Sequence, residues 1–227
     1  MSREAASKAV LLCDFDGTIV NIDTAEFALD RFADHSWRLI DEQFERGEIT
    51  FEESLRKEFS MITVPEKEIL RELDKVAFLR PNFEKLVEYC KALRLPLIVV
   101  SGGFDFCIRH FLDQKNWLRF IEICAPKSKG TTNGYTLTFP KLFDEKSVSF
   151  KDDLVKHYRK LGKRVLYIGD GAADYPAVKN ADFSFVIRGS RLAELCSNGG
   201  VRYKEISDFQ EVVDTIADST SSQTSFI

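Results

Sequence analysis

The chain has 227 residues, 44% hydrophobic and 30% charged, enough for one sizeable core with room for an insert and inconsistent with general disorder. A formal net charge of −4 gives no global pull toward nucleic acid or anionic membrane, and no apolar run approaches the ~20 residues of a membrane span. Five cysteines without a CxxC pair, and a first strand reached with no secretory apolar stretch before it, point to a reducing, cytoplasmic setting.

Lys8 to Cys13 reads as a buried strand that stops at Asp14-Phe15-Asp16-Gly17-Thr18. Asp23 to Glu26 forms a capping box, and Ala25, Ala28, Leu29 and Phe32 follow at helical spacing. Thr50 to Glu53 repeats the signal ahead of Leu55 and Phe59, and Pro65 opens a third helical stretch with Ile69, Leu70 and Leu73. No strand interrupts residues 22–79, far more than a simple crossover needs. That segment is expected to be a small helical cap inserted after strand one, with 1–21 and 80–218 forming the core. Pro81 opens a further helix, and Leu97 to Val100 is a second strand ending at Ser101-Gly102-Gly103. Ile121 to Cys124 is another strand, and Asn133-Gly134 suggests a hairpin turn. Ser149 caps a helix carrying Lys151, Val165 to Ile168 ends at Gly169-Asp170-Gly171, and Phe183 to Ile187 is one more strand. Ser207 is expected to cap the last helix, and the Ser/Thr-rich 219–227 to be a disordered tail. Strands alternating with helices imply an α/β fold, a doubly wound parallel sheet covered on both faces.

In such a sheet the strand ends share one edge, where ligands bind. That edge would gather Asp14, Asp16 and Thr18, then Ser101 and Gly102, then Asp170 and Asp174. At ~4 Å and an effective dielectric of ~20, each pair of like charges costs about 4 kcal/mol, so the cluster implies a bound cation. Carboxylate oxygens without thiolate or imidazole favour Mg²⁺. Ser101, the Gly102 N–H, Thr18 and Lys151 supply donors for a phosphoryl group, and a carboxylate can act as nucleophile through an aspartyl-phosphate. A non-catalytic receiver-like phospho-acceptor also collects aspartates, a hydroxyl and a lysine at strand ends. It lacks an acid/base two residues after its acceptor, which Asp16 supplies here, and it has no helical cap.

Asp14-Phe15-Asp16-Gly17-Thr18, Val100-Ser101-Gly102-Gly103, the downstream lysine and Gly169 to Asp174 together resemble the haloacid dehalogenase superfamily of phosphatases, over Leu11 to about Ile187. The resemblance implies a Rossmann-like core and Mg²⁺-dependent hydrolysis of a small phosphorylated metabolite. It implies Asp14 as nucleophile and Asp16 as acid/base, with the Asp16 backbone carbonyl and Asp170 as further metal ligands. Asp174 stands behind Asp170, and Ser101 and Lys151 hold the phosphoryl group, with Lys146 the nearby alternative. Val99 to Asp105 and the helical cap resemble the phosphoserine phosphatase branch. Asp23 stands where that branch carries a Glu for the substrate amine. Glu58 stands in the column of its carboxylate-binding Arg, with Arg56 on another helix face. The serine-glycine motif and the Lys151-to-Asp170 spacing look closer to a sister group of methionine-salvage enol-phosphate phosphatases and fungal polyol- and pyridoxal-type phosphatases.

Overall fold

The structure is a computed structural model and describes residues 8–221. Residues 1–7 of the expected core and 222–227 of the expected tail lie outside that range. In chain order, β1 (Ala9–Cys13) is followed by four helices, α1 (Thr24–Phe32), α2 (Trp37–Glu45), α3 (Phe51–Phe59) and α4 (Glu66–Leu73). Then come α5 (Phe83–Leu93), β2 (Leu97–Val100), α6 (Asp105–Asp113), β3 (Ile121–Cys124) and the hairpin β4 (Lys127–Thr131) with β5 (Gly134–Thr138). The chain continues through α7 (Phe150–Lys160), β6 (Arg164–Gly169), α8 (Tyr175–Asn180), β7 (Phe183–Ile187), α9 (Arg191–Asn198), β8 (Lys204–Ile206) and α10 (Gln210–Ser221).

Six strands form one parallel sheet in the order β3-β2-β1-β6-β7-β8. This is the Rossmann-like, doubly wound arrangement, in which the strand order reverses beside the first strand. β1 is central, with Cys13 level with Val99 of β2 on one side and Ile168 of β6 on the other. The residues that follow these three strands therefore emerge side by side. Alternation of side chains builds both faces. Ala9, Leu11 and Cys13 join Leu86, Phe111, Phe209 and Val212 in one apolar layer, while Val10 and Leu12 join Leu154, Val155, Ala177 and Leu192 in the other. All five β1 side chains are buried, so the strand that carries the acidic turn is gripped from both sides.

The helices between β1 and α5 have a third apolar cluster, made of Ala28, Leu29, Leu55, Phe59, Ile62, Ile69 and Leu73. Tyr135 and Leu137 of the hairpin and Phe104 and Cys107 near α6 complete it. Two hydrogen bonds stitch the hairpin to this layer, from Tyr135 Oη to the Val64 carbonyl and from Arg56 to the Leu137 carbonyl, both 2.9 Å.

Two expectations are corrected at the C-terminal end. Asp208, and not Ser207, accepts from the first free N–H groups of α10, at Gln210 (2.8 Å) and Glu211 (3.4 Å). The Ser207 N–H instead donates to the Glu211 carboxylate. α10 runs to Ser221 with Ser219 buried, so the start of the expected disordered tail is helical. β8, α8 and α9 are additional elements; β8, only Lys204-Glu205-Ile206, carries too little apolar pattern to be read as a strand.

Candidate active site

Asp14 leaves β1 with its carboxylate almost wholly buried, at 4% exposure. Its Oδ1 accepts from Lys151 Nζ at 2.7 Å, and Oδ2 has no hydrogen-bond partner among the described residues. Lys151 enters from the first turn of α7, which begins where the Ser149 hydroxyl accepts from the Asp152 N–H. The same ammonium donates to Asp174 Oδ1 at 2.7 Å, which also accepts from Tyr167 Oη at 2.7 Å. Asp174 Oδ2 takes the N–H groups of Asp170 and Gly171, both at 3.1 Å. Both Asp174 oxygens are thus occupied, and this carboxylate orients Lys151. Lys146, the alternative lysine, is exposed, and its backbone N–H donates to Asp144.

Asp16 sits apart from the lysine. Its Oδ1 accepts from the Thr24 N–H (2.9 Å) and hydroxyl at the start of α1, and its Oδ2 from the Ser101 hydroxyl at 2.9 Å. Ser101 Oγ in turn accepts from the Gly103 N–H at 2.9 Å. A side chain at Gly103 would bring a Cβ within 2.2 Å of Asp16 Oδ2, so only glycine lets the backbone come this close. Gly102 lines the cavity beside Ser101, and a Cβ there would meet Phe51 of α3 at 2.5 Å.

Thr18 departs from expectation. It is fully buried and donates to Asp170 Oδ1 at 2.7 Å, so its hydroxyl orients a carboxylate instead of facing a phosphoryl group. Asp23 uses Oδ1 to cap α1, accepting from Ala25 and Glu26 N–H at 2.8 Å, and also lines the cavity. Arg80 and Tyr167 are site-supporting residues the sequence did not reveal. Arg80 donates to the Gly17 and Thr18 carbonyls and so pins the acidic turn. A tyrosine inside the apolar run Val165 to Ile168 was the available signal, since a buried phenol needs a partner.

Electrostatically the pocket is short of positive charge. Burial, and then Asp174, push the Asp14 carboxyl well above the usual carboxylate range despite Lys151. Burial and Asp174 raise Asp170 to about 7, and burial raises Asp16 against the hydrogen bonds from Thr24 and Ser101. Burial opposes the Lys151 ammonium, but Asp14 and Asp174 outweigh it and hold its pKa above the ordinary value. Carboxylate oxygens of Asp14, Asp170 and Asp174 all lie within 4.8 Å of one another. Such a donor set, all oxygen and largely buried, fits a hard divalent cation that would relieve this repulsion. With Asp174 occupied, Asp14 and Asp170 are the side chains left to hold it.

The cavity, about 460 Å³, extends from these carboxylates under α1, α2 and α3. Glu58 of α3 lines it at 6% exposure. Burial, then Asp41 of α2 and Glu26 of α1, raise its pKa from 4.5 to about 8. A folded-state value above the unfolded one contributes stability that is present below about pH 4.5 and lost as the pH rises through 8. Glu58→Gln should therefore gain stability over wild type as pH rises from 5 to 8, on the order of 3 to 4 kcal/mol at about 1.36 kcal/mol per unit. Urea unfolding at both pH values measures it, and a pH-independent difference would contradict the burial argument.

A doubly wound sheet with buried carboxylates, a hydroxyl and a lysine converging on its carboxyl edge defines an α/β enzyme core with its ligand site at the strand ends. The chain belongs to the haloacid dehalogenase-like hydrolase family, whose profile matches residues 11–179. It is similar to the 2-hydroxy-3-keto-5-methylthiopentenyl-1-phosphate phosphatase of Brevibacillus brevis, with 28% identity over 92% of this chain and 95% of that protein. It also resembles Pdp3-interacting factor 1 of Schizosaccharomyces pombe, with 25% identity over 88% of this chain and 90% of the other. Among solved structures, a phospho-aspartyl intermediate analogue of phosphoserine phosphatase superposes with a TM-score of 0.69 at 21% identity, over 92% of this chain and 99% of that one. No helix among the described residues is long and apolar enough to cross a membrane.

Proposed function

We propose that the protein is a Mg²⁺-dependent phosphomonoesterase that hydrolyses a small phosphorylated metabolite through an aspartyl-phosphate on Asp14. The observation that carries this reading is the unequal treatment of two carboxylates two residues apart. Asp14 is ion-paired to Lys151 with one oxygen left over, while Asp16 has no ion pair among the described residues and is held by the Thr24 and Ser101 hydroxyls. Two such environments separate a nucleophile from a general acid.

Asp14 Oδ2 attacks phosphorus, and the bond from phosphorus to the leaving oxygen breaks. Asp16 donates its proton to that oxygen. Asp16 then takes a proton from the water that attacks the aspartyl-phosphate, which releases phosphate and restores both carboxyls. Lys151 neutralises Asp14 while the anionic ester approaches, and the Gly102 N–H orients the phosphoryl oxygens together with Ser101, whose hydroxyl must turn from Asp16 Oδ2 to do so. A cation held by Asp14, the Asp16 carbonyl and Asp170 would supply charge neutralisation for the phosphoryl group. Residues 22–79 serve as a cap that excludes bulk water and contacts the leaving group, which favours small esters over protein or nucleic-acid substrates.

Dialysis against EDTA should lower p-nitrophenyl phosphate hydrolysis by at least about a hundredfold, and Mg²⁺ should restore it. Activity indifferent to both would defeat the metal assignment. The metabolite class is open to a panel of phosphoserine, the methylthio enol phosphate named for the Brevibacillus relative, and pyridoxal phosphate. Phosphoserine is disfavoured, because its carboxylate would find no cation beside Glu58: Arg56 bonds the Leu137 carbonyl and lies over Phe139.

A further inference from the structure

The half of the cavity away from Asp14 is walled by acids without a free cation. Asp23 and Glu26 of the α1 turn, Asp41 of α2 and Glu58 of α3 all line it. Among the described lining residues the cations are Lys151, held by Asp14 and Asp174, and Arg191, which lies at 2.8 Å from Glu194 and 3.7 Å from Glu45. Glu58 is the most telling of these acids. It is 94% buried by its 6% exposure, it faces the cavity, and its Oε1 has no hydrogen-bond partner among the described residues. A buried carboxyl oxygen without a partner is costly unless a ligand completes it.

The placement of Glu58 follows from helix geometry. Phe51 and Leu55 rest on Gly102 at the strand end, and Glu58 lies on the same helical face, one turn beyond Leu55. The phosphoryl group at Ser101 and Gly102 thus lies toward one end of this face and the leaving group toward Glu58. Phe44 and Phe51, with ring centroids 5.5 Å apart, add aromatic surface to the same wall, which also favours a cation.

We propose that the preferred substrates are phosphomonoesters whose leaving group carries a positive charge, such as aminoalkyl phosphates, with Glu58 as the counterion of the ammonium and Asp41 and Glu26 reinforcing it. This rests on the phosphomonoesterase reading and adds the class of leaving group. Esters that carry a second anion find no free cation for it among the described lining residues, and neutral ones can offer Glu58 a hydrogen bond but no charge. Because burial and the neighbouring Asp41 and Glu26 keep Glu58 protonated near neutral pH in the free protein, binding an ammonium ionises it and releases a proton.

The test compares kcat/KM for 2-aminoethyl phosphate with that for the near-isosteric 2-hydroxyethyl phosphate, in wild type and in Glu58→Gln. p-Nitrophenyl phosphate is run alongside on wild type. The expected wild-type ratio is at least about tenfold in favour of the amine, carried by KM, and Glu58→Gln brings it toward unity. Calorimetry at pH 7 in two buffers of different ionisation enthalpy should show proton release on binding the amino ester to wild type and none in the variant. If p-nitrophenyl phosphate is hydrolysed but the ratio is near one, or survives Glu58→Gln, the cation assignment is overturned while the phosphomonoesterase reading stands. If none of the three esters is turned over, that reading fails. The binding ratio of the two alkyl esters to wild type, measured by the same calorimetry, then decides the cation assignment alone.

Discussion

Asp14→Asn should abolish turnover of p-nitrophenyl phosphate, lowering kcat by at least about 10⁴-fold, with the fold intact. An amide is nearly isosteric with the carboxylate and can still accept from Lys151, but its oxygen is a poor nucleophile and cannot form the covalent intermediate. Stability should hold or rise. The substitution removes one negative charge from a buried cluster in which Asp14, Asp170 and Asp174 lie within 4.8 Å. Steady-state kinetics and a thermal melt on the same preparation separate the two effects. An inactive but unfolded variant would say nothing of chemistry, and a folded variant that retains activity would remove Asp14 from the role of nucleophile.

Lys151→Ala should be the most destabilising single change at the site, costing about 3 to 5 kcal/mol, because it strands two buried carboxylates. Nζ lies 2.7 Å from both Asp14 and Asp174, and Lys151 is only 3% exposed. Lys146→Ala, on the exposed approach to α7, should change stability by no more than about 0.5 kcal/mol. Urea unfolding of the two variants gives the order directly, and equal effects would contradict the buried ion-pair geometry. A double variant, Lys151→Ala with Asp14→Asn, should lose less than Lys151→Ala alone. Removing one stranded charge relieves part of the cost, and the cycle reports the coupling between the pair.

The arrangement of the site was legible in the sequence wherever local pattern and chemistry met. Three apolar runs of strand length ended in Asp14, Ser101 and Asp170, and a parallel sheet brings such ends together. Ser149 marked the start of α7 and so put Lys151 on its first turn. What escaped depended on contacts between distant segments. The Thr18 hydroxyl turns to Asp170, 152 positions away, so a hydroxyl read as a phosphate donor is spent on a carboxylate. Arg80 acts on residues of another segment, and nothing in its local pattern records that, while Tyr167 in its apolar run shows the need for a partner but not which one. At the C-terminal end, Ser207 and Asp208 are both good capping types, and the geometry of the turn chose between them. The polar composition after Ser219 suggested disorder, yet α10 continues through Ser221 because its apolar face, with Val212 and Ile216, is already docked on the sheet. Glu58 was visible only as an odd residue in a column. Its burial and unpartnered oxygen required the helices around it.

The seat of α3 on Gly102 gives the molecule a division of labour along one helix. The Phe51 end is fixed by backbone: any side chain at Gly102 would meet the ring and lift the helix from the strand that carries Ser101. The far end touches no reacting atom. Residue 58 can therefore change the sign of charge presented at the far end of the cavity while the distances around Asp14 stay as they are. A lineage, or an engineer, could retune which ester is accepted by editing one turn of α3, with the chemical half of the pocket inherited unchanged.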